Sequence, residues 1–250
     1  MTARRKMQSS FPRQEESFEA IEFPKKRQKY LQEVKKDSVW LKSKFVPKSL
    51  GQEFYVTMLN ECDITMCFGP AGTGKTWIAT RFALEKLISH EVDRIVCTKP
   101  IMEAGSEEIG FLPGEVADKI LPHFQSILDC FEDHIGPMAV KRLIETEKLQ
   151  FLPTAYARGR GVKNSYFIID EAQNLTKKGI KLLMTRIAEG SQMCINGDTD
   201  QTDLPNPKDS GFMWAIDCLR GKNAKIGVAE LTFGDIQRHP LIETILINLR

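Results

Sequence analysis

The sequence predicts an α/β fold with a mostly parallel sheet and helices on both of its faces. From Lys48 onward, short apolar runs typical of buried strands alternate with segments whose apolar residues recur at helical spacing. Strands separated by helices favour right-handed crossovers, which build a parallel sheet covered on both faces. A glycine-rich loop and several acidic residues stand where predicted strands end, at the edge where such sheets bind their ligands.

The predicted elements follow one another in a regular order. We expect strands at 63–68, 94–98, 150–153, 166–169, 192–196 and 226–231. We expect helices at 51–60, 76–89, 115–131, 138–148, 177–188, 211–219 and 240–249. The helical stretch 115–148 interrupts the alternation and is predicted to be an insertion. Residues 46–250 are therefore expected to form one domain, preceded by an extension at 1–45.

The most specific local pattern is a phosphate-binding loop after the first strand. Residues 69–76 read G-x-x-x-x-G-K-T, between a strand-like run and a helical period. Glycines allow the backbone to turn so that its N–H groups point toward phosphate oxygens. The alternative interpretation is a glycine-rich strand-to-helix turn that binds no phosphate. The pattern predicts Lys75 on the β- and γ-phosphates and the Thr76 hydroxyl on Mg²⁺. The candidate nucleotide-binding residues of this segment are Gly69, Pro70, Ala71, Gly72, Thr73, Gly74, Lys75, Thr76 and Trp77.

Two carboxylates follow the predicted strand 166–169. Asp170 stands at the strand end, where the residue that organises Mg²⁺ belongs beside a phosphate-binding loop. The adjacent Glu171 is suited to polarise a water for attack on the γ-phosphate. The alternative interpretation is an ordinary acidic first turn of a helix. With the loop upstream, the sequence favours a metal role for Asp170 and a general-base role for Glu171.

A third polar segment follows the predicted strand 192–196. It reads Gly197-Asp198-Thr199-Asp200-Gln201 and lies at the same predicted sheet edge. Gln201 is a candidate reporter of the γ-phosphate, and Asp198 a candidate ligand of a metal-bound water. A simple Gly-Asp turn is the alternative.

Composition excludes several classes of protein. The chain has 250 residues, 42% of them hydrophobic and 27% charged, as in ordinary globular proteins. It contains no apolar stretch near 18 residues and no signal-peptide pattern, so neither membrane insertion nor export is indicated. The six cysteines show no C-x-x-C spacing and the four histidines no metal-ligand spacing. We therefore expect a cytoplasmic protein without a zinc site.

Charge is distributed unevenly along the chain. The net charge is +2, yet residues 1–44 hold twelve Lys/Arg against six Asp/Glu. A basic arm of this kind attracts nucleic acid by releasing counterions, and equally often it is a solubilising tail. Both interpretations stay open.

Taken together, the motifs resemble the PhoH-like ATPases, phosphate-binding-loop proteins related to the core of superfamily 1 helicases. The resemblance runs from about Val46 to Leu249. It is carried by segments at 69–76, 99–105, 110–114, 155–160, 170–174, 197–205 and 235–240. It implies a RecA-like fold, ATP binding and hydrolysis with Mg²⁺, ring oligomers that are commonly hexameric, and action on RNA or single-stranded nucleic acid.

The resemblance also assigns roles to two further residues. Gln52, seventeen residues before Gly69, resembles the adenine-reading glutamine of helicases. Arg238 resembles a γ-phosphate sensor or arginine finger, a task suited to a permanently charged planar guanidinium. No second phosphate-binding half occurs in the sequence, so a finger would come from Arg238 in the same subunit or from a neighbouring one. Arg158 and Arg160 are alternative fingers or contacts to nucleic acid.

Two other functions remain as alternatives. A nucleotide kinase or phosphotransferase also needs the loop and Mg²⁺, although a water-activating Glu171 would work against it. An ATP-gated ring scaffold would function through the assembly of its subunits and would not require ATP hydrolysis. The expected catalytic set is Lys75, Glu171, Gln201 and Arg238, with Thr76 and Asp170 on the metal.

Overall fold

A parallel β-sheet is the centre of the fold in the computed structural model, which describes residues 41–101, 121–154, 161–198 and 201–237. Within these ranges the sheet has six strands in the order β3-β2-β4-β5-β1-β6, and every pair is parallel. The strands are β1 Ile64–Phe68, β2 Arg94–Lys99, β3 Leu149–Pro153, β4 Ser165–Ile169, β5 Gln192–Gly197 and β6 Ile226–Glu230. Each lies within one residue of its predicted bounds at either end, and the predicted α/β class is confirmed.

Six α-helices of the described residues connect and cover these strands. They are α1 Leu50–Glu61, α2 Lys75–Ile88, α3 Gln125–Ile135, α4 Pro137–Glu145, α5 Lys177–Met184 and α6 Gly211–Leu219. Local signals set several ends: the Ser49 hydroxyl caps α1 through the N–H of Gln52 at 3.2 Å, and Thr176 caps α5 in the same way. Gly136, with φ of 84°, separates α3 from α4.

Two apolar cores lie on opposite faces of the sheet. One packs α1, α2, α3 and α4 against strand residues such as Cys67, Ile168 and Cys194. The other packs α5 and α6 against the alternate strand residues, including Met66 and Ile195. Because neighbouring strand positions face opposite ways and both faces are covered, β4, which is apolar after Ser165, buries every residue.

The structure differs from the sequence prediction by three or four residues at three helix ends. The predicted helix 138–148 ends at Glu145, and the predicted helix 240–249 lies outside the described residues. The predicted helix 115–131 is a 3₁₀ turn at Leu121–Phe124 followed by α3, which extends to Ile135, while 102–120 lie outside the described residues. The predicted helix 177–188 stops at Met184. Val162 pairs there with the following segment, accepting from the N–H of Ala188 and donating to the carbonyl of Arg186. This tertiary pairing overrides the helical preference of residues 185–188.

The segments at the two predicted boundaries have defined contacts. Helices α3 and α4 lie in the connection from β2 to β3, which are neighbouring strands. Residues 41–45 pack on the domain: Arg81 donates to the Ser43 carbonyl at 2.6 Å and Phe45 contacts Trp77. The compact unit that holds the described residues begins at Val39. None of the described helices combines the length and the apolar character needed to cross a membrane.

Candidate nucleotide site

The glycine-rich loop adopts a backbone that its glycines make accessible. Gly69, Gly72 and Gly74 have φ values of 148°, 83° and 89°. A Cβ at position 69 would lie 2.1 Å from the carbonyl oxygen of Leu231, so no other residue fits there. No side chain of the described residues caps the N-terminus of α2 after Gly74, and its first amides are available to an anion.

Lys75 folds back over this loop. Its ammonium donates to the carbonyls of Gly69 at 2.6 Å and Pro70 at 2.8 Å. Burial lowers the pKa of Lys75, an effect opposed by the nearby Cys67 and by the carboxylates of the site. A phosphate group entering the loop would offer the ammonium charged acceptors in place of neutral carbonyls.

Thr76 and Asp170 meet as the sequence predicts for a magnesium site. The Thr76 hydroxyl donates to the Asp170 carboxylate, 3.0 Å from one oxygen and 3.2 Å from the other. Burial and the neighbouring Glu171 raise the pKa of Asp170 to about 6. A divalent cation would relieve this crowding of buried negative charge, and hydroxyl and carboxylate oxygens are ligands that Mg²⁺ accepts. The residues present therefore fit Mg²⁺.

The kind of metal site is limited by the ligands at hand. The described ranges contain no cluster of three or more His, Cys, Asp and Glu side chains that could hold a metal by themselves. A site with one or two protein ligands, completed by phosphates and water, is typical of Mg²⁺ with nucleotides.

Glu171 lies next to Asp170 in a constrained backbone conformation. Its φ and ψ are 54° and 38°, in the left-handed region that costs a non-glycine residue about 1 kcal/mol or more. Its carboxylate accepts from the Gln173 amide at 2.6 Å, and the Gln173 oxygen accepts from the backbone N–H of Asp198 at 2.9 Å. Gln173 thus ties Glu171 to the end of β5.

A cavity of about 870 Å³ unites most of the predicted residues. Its lining includes Lys75, Thr76, Asp170 and Glu171, together with Ala71, Gly72, Gly74, Trp77, Asp198, Gln201 and Gln52. Pro70 and Thr73 contribute through their carbonyls, which accept from Lys75 and Gln52. The cavity lies where β1, β4 and β5, which are neighbours in the sheet, have their carboxyl ends. Arg158, Arg160, Thr199, Asp200 and Arg238 lie outside the described residues.

The Gln52 side chain is buried and its amide orientation is fixed. Its oxygen accepts from the N–H of Lys48 at 2.9 Å, so this atom must be the acceptor. Its nitrogen donates to the Thr73 carbonyl at 3.0 Å, so that atom must be the donor. One N–H and one oxygen lone pair of the amide remain beyond these two bonds.

Sequence reasoning missed three residues that organise the site. Gln173 had a visible signal, since it stands two residues after Glu171, yet its partner on β5 could not be read from spacing. Tyr55 donates to the buried Asn196 amide oxygen at 2.8 Å and joins α1 to β5. Asp235 was visible only as part of a motif, and beyond its local bonds from Thr232 it contacts the start of α1, far away in the sequence.

The parallel sheet, the glycine-rich loop and the Thr76–Asp170 pair together define a P-loop NTPase of the α/β class. The family model described as "PhoH-like protein" matches residues 44–249, and the chain belongs to this family. A PhoH-like protein from Synechocystis is 39% identical over 199 residues, covering 80% of this chain and 60% of the relative.

One further relative is as similar to this chain as the Synechocystis protein, and one solved structure resembles it more distantly. A PhoH-like protein from Bacillus subtilis is also 39% identical over 199 residues, which is 80% of this chain and 62% of the relative. The chain thus spans somewhat less than two thirds of these relatives. The UvsW helicase from bacteriophage T4 aligns with a TM-score of 0.43 and 12% identity, over 82% of this chain and 67% of that one. This likeness is too distant to support an inference about activity.

Proposed function

We propose that this protein binds ATP with Mg²⁺, hydrolyses it, and acts as a ring oligomer on RNA or single-stranded nucleic acid. The observation that carries the hydrolytic part is the meeting of Lys75, Thr76, Asp170 and Glu171 in one cavity, with Thr76 hydrogen-bonded to Asp170. The other parts rest on separate observations.

The choice of ATP rests on Gln52. Its remaining N–H and lone pair match the N7 acceptor and the N6 amino donor of adenine. Guanine presents two acceptors at the corresponding positions, so one of them would face the Gln52 oxygen. Since Lys48 and Thr73 prevent the amide from flipping, we propose that Gln52 selects ATP over GTP.

Hydrolysis, as opposed to phosphoryl transfer to another acceptor, rests on Glu171. The carboxylate is held by Gln173 beside the proposed Mg²⁺ ligands and would accept a proton from the attacking water. Lys75 and the amides of α2 would hold the phosphates in line for the attack. When bound, Mg²⁺ neutralises phosphate charge, and Thr76 and Asp170 would hold it.

Two variants test this mechanism. Lys75→Ala should abolish ATP turnover while thermal unfolding stays near that of the unaltered protein. Glu171→Gln should bind ATP and retain it without hydrolysis, because the amide keeps the shape and loses the base. The exposed Lys208→Ala serves as a control that should leave turnover unchanged. Near-normal turnover in Lys75→Ala would contradict the site assignment, and weak ATP binding in Glu171→Gln would contradict the general-base role.

Action on nucleic acid rests on charge. The basic arm is one source, and Lys99 at the end of β2 is close enough to Asp170 to lower its pKa. Removing residues 1–38, which precede the compact unit, should weaken binding to single-stranded RNA and leave basal turnover intact. Each lost phosphate contact lowers the slope of log affinity against log salt by roughly 0.7. An unchanged slope would show that the arm is only a tail.

Ring assembly rests on three exposed apolar side chains in and just before the first half of α1, called here the apolar strip, one of which lines the nucleotide cavity. Val46, which lines the cavity, is 64% exposed, and Leu50 and Phe54 on α1 are 84% and 50% exposed. We propose that a second copy covers this strip, which would bring a neighbour's residues to the nucleotide. Leu50→Lys with Phe54→Lys should shift the sedimenting species toward monomer, whereas Met138→Lys, on another exposed apolar side chain, should not. A monomer for the unaltered protein with ATP and Mg²⁺ would refute the ring.

The source of the arginine finger is tested by mixing subunits. Lys75→Ala subunits are combined with subunits altered at Arg158, Arg160 or Arg238. Recovered hydrolysis indicates a finger supplied by the neighbour, because some interfaces then pair an intact loop with an intact arginine. No recovery indicates an arginine acting within its own subunit.

Turnover with and without single-stranded RNA separates the proposal from its alternatives. Stimulation by RNA supports a motor or remodeller, and a phosphorylated acceptor supports a kinase. Absence of turnover with intact assembly supports a nucleotide-gated scaffold. The free cysteines of the described residues fit a reducing, cytoplasmic location.

A further inference from the structure

Asp235 is a buried carboxylate outside the phosphate and metal contacts of the site. It is 6% exposed and ends the 3₁₀ turn Phe233–Asp235 that follows β6. One of its oxygens accepts from the backbone N–H of Thr232 at 2.6 Å and from the Thr232 hydroxyl at 3.0 Å. Burial alone would raise the pKa of Asp235, but hydrogen bonds from Ser49, Thr232 and Gly51 lower it, so the carboxylate is charged.

The same carboxylate binds the N-terminus of α1. The Ser49 side chain and the Gly51 backbone N–H are hydrogen-bonded to it, where the positive end of the helix favours an anion. The approach is very close: a Cβ at Gly51 would lie 2.6 and 2.7 Å from the two Asp235 oxygens. Only glycine at position 51 leaves the carboxylate in place.

Both segments that Asp235 joins reach the nucleotide cavity. On α1, Gln52 follows Gly51 directly and lines the cavity, held by Lys48 and Thr73. Beyond the turn, the Gln237 N–H donates to the Gly72 carbonyl of the phosphate-binding loop at 3.0 Å. Asp235 is therefore the point at which the start of α1 and the segment over the loop are fastened together.

We propose that Asp235 is a positioning residue for base selection, which keeps the Gln52 amide at the distance and angle that distinguish adenine from guanine. The proposal rests on the proposed function, since it presumes that Gln52 reads the base. A purely structural role, capping its own 3₁₀ turn, would affect stability and leave the preference between nucleotides unchanged.

Two substitutions on different segments test the proposal. Asp235→Asn keeps the volume and removes the charge. Gly51→Ala leaves Asp235 in the sequence and displaces its carboxylate, although alanine is the better helix former. Gly234→Ala is the matched control, because its nearest contact would be the Thr232 hydroxyl at 3.7 Å and the turn has room for a methyl group.

The measurement is the ratio of the dissociation constants for fluorescent ribose-labelled GTP and ATP. We expect this ratio to fall on the order of tenfold in both Asp235→Asn and Gly51→Ala, as for the loss of about one well-placed hydrogen bond. Gly234→Ala should keep the ratio of the unaltered protein. Thermal unfolding is recorded for each variant so that a change in stability is seen separately from a change in preference.

Each outcome decides a different point. A clear preference for ATP in the unaltered protein that survives both substitutions overturns the role of Asp235 and leaves the proposed function standing. Equal binding of both nucleotides by the unaltered protein overturns base selection by Gln52, and with it this inference. Absence of nucleotide binding overturns the proposed function itself. If Asp235→Asn does not fold, Gly51→Ala carries the test.

Discussion

Replacing Gln173 with alanine should slow ATP hydrolysis far more than it weakens ATP binding. The Gln173 amide is 3% exposed and spans two partners, the Glu171 carboxylate at 2.6 Å and the Asp198 N–H at 2.9 Å. Alanine removes both contacts and leaves Glu171 in its left-handed backbone conformation with a mobile carboxylate. The loop residues that hold the phosphates are untouched.

The magnitude follows from the two bonds. A hydrogen bond to a charged group is worth roughly 1.5–3 kcal/mol, which corresponds to a fall in kcat of about 13- to 160-fold if it serves only to orient the base. The Asp198 N–H loses its acceptor in a buried position, at a cost of about 1–3 kcal/mol in the free energy of unfolding. KM should change little.

The assay is steady-state turnover together with ATP binding and denaturant unfolding. Gln192→Ala, at the opposite end of β5, is the control glutamine, and we expect normal kcat from it. In a Glu171→Gln background, adding Gln173→Ala should hardly change the residual rate, because the group it orients is already inactive. An equally large further decrease in that background would refute the idea that Gln173 acts through Glu171.

Two further predictions concern buried polar groups. Burial lowers the pKa of His134 below 6.5, an effect partly offset by its bond to the Trp77 carbonyl. As the pH falls, this histidine is therefore protonated more readily in the unfolded chain than in the folded protein. The contribution of the neutral His134 side chain to stability is therefore fully present above about pH 6.5 and is lost as the pH falls below that value. His134→Gln should flatten this part of a curve of Tm against pH, whereas His123→Gln, at an exposed histidine, should not. Tyr55→Phe removes the donor to Asn196 and should lower the free energy of unfolding by about 1–3 kcal/mol in denaturant titration, and an unchanged value would show that the bond is replaceable.

Much of the fold could be predicted because its signals are local. Each strand is a short apolar run, and the residues that follow β1, β4 and β5 meet because parallel neighbours share a carboxyl edge. That argument was enough to bring Lys75, Thr76, Asp170 and Glu171 together. It needs only residue type and position relative to a strand.

What could not be predicted depends on partners distant in the sequence. The end of α5 at Met184 is set by pairing with Val162, which no helical periodicity reports. The Asp235 carboxylate contacts the Gly51 backbone, 184 positions away in the sequence, and neither residue type predicts the other as its partner. Single polar side chains have many potential partners, and only the packed structure selects one.

The phosphate-binding loop packs closely against the end of β6, where Gly69 meets the Leu231 carbonyl. Because Gly69 leaves no room for even a methyl group beside Leu231, the loop cannot shift toward the end of β6 without displacing it. The main-chain bond from the Leu231 N–H to the Phe68 carbonyl, at 2.8 Å, reinforces this attachment. Among the residues that the structure describes, β6 is an edge strand of the sheet, so main-chain contacts connect the loop to that edge. A molecule bound at that edge would therefore contact main chain that packs directly against the phosphate-binding loop.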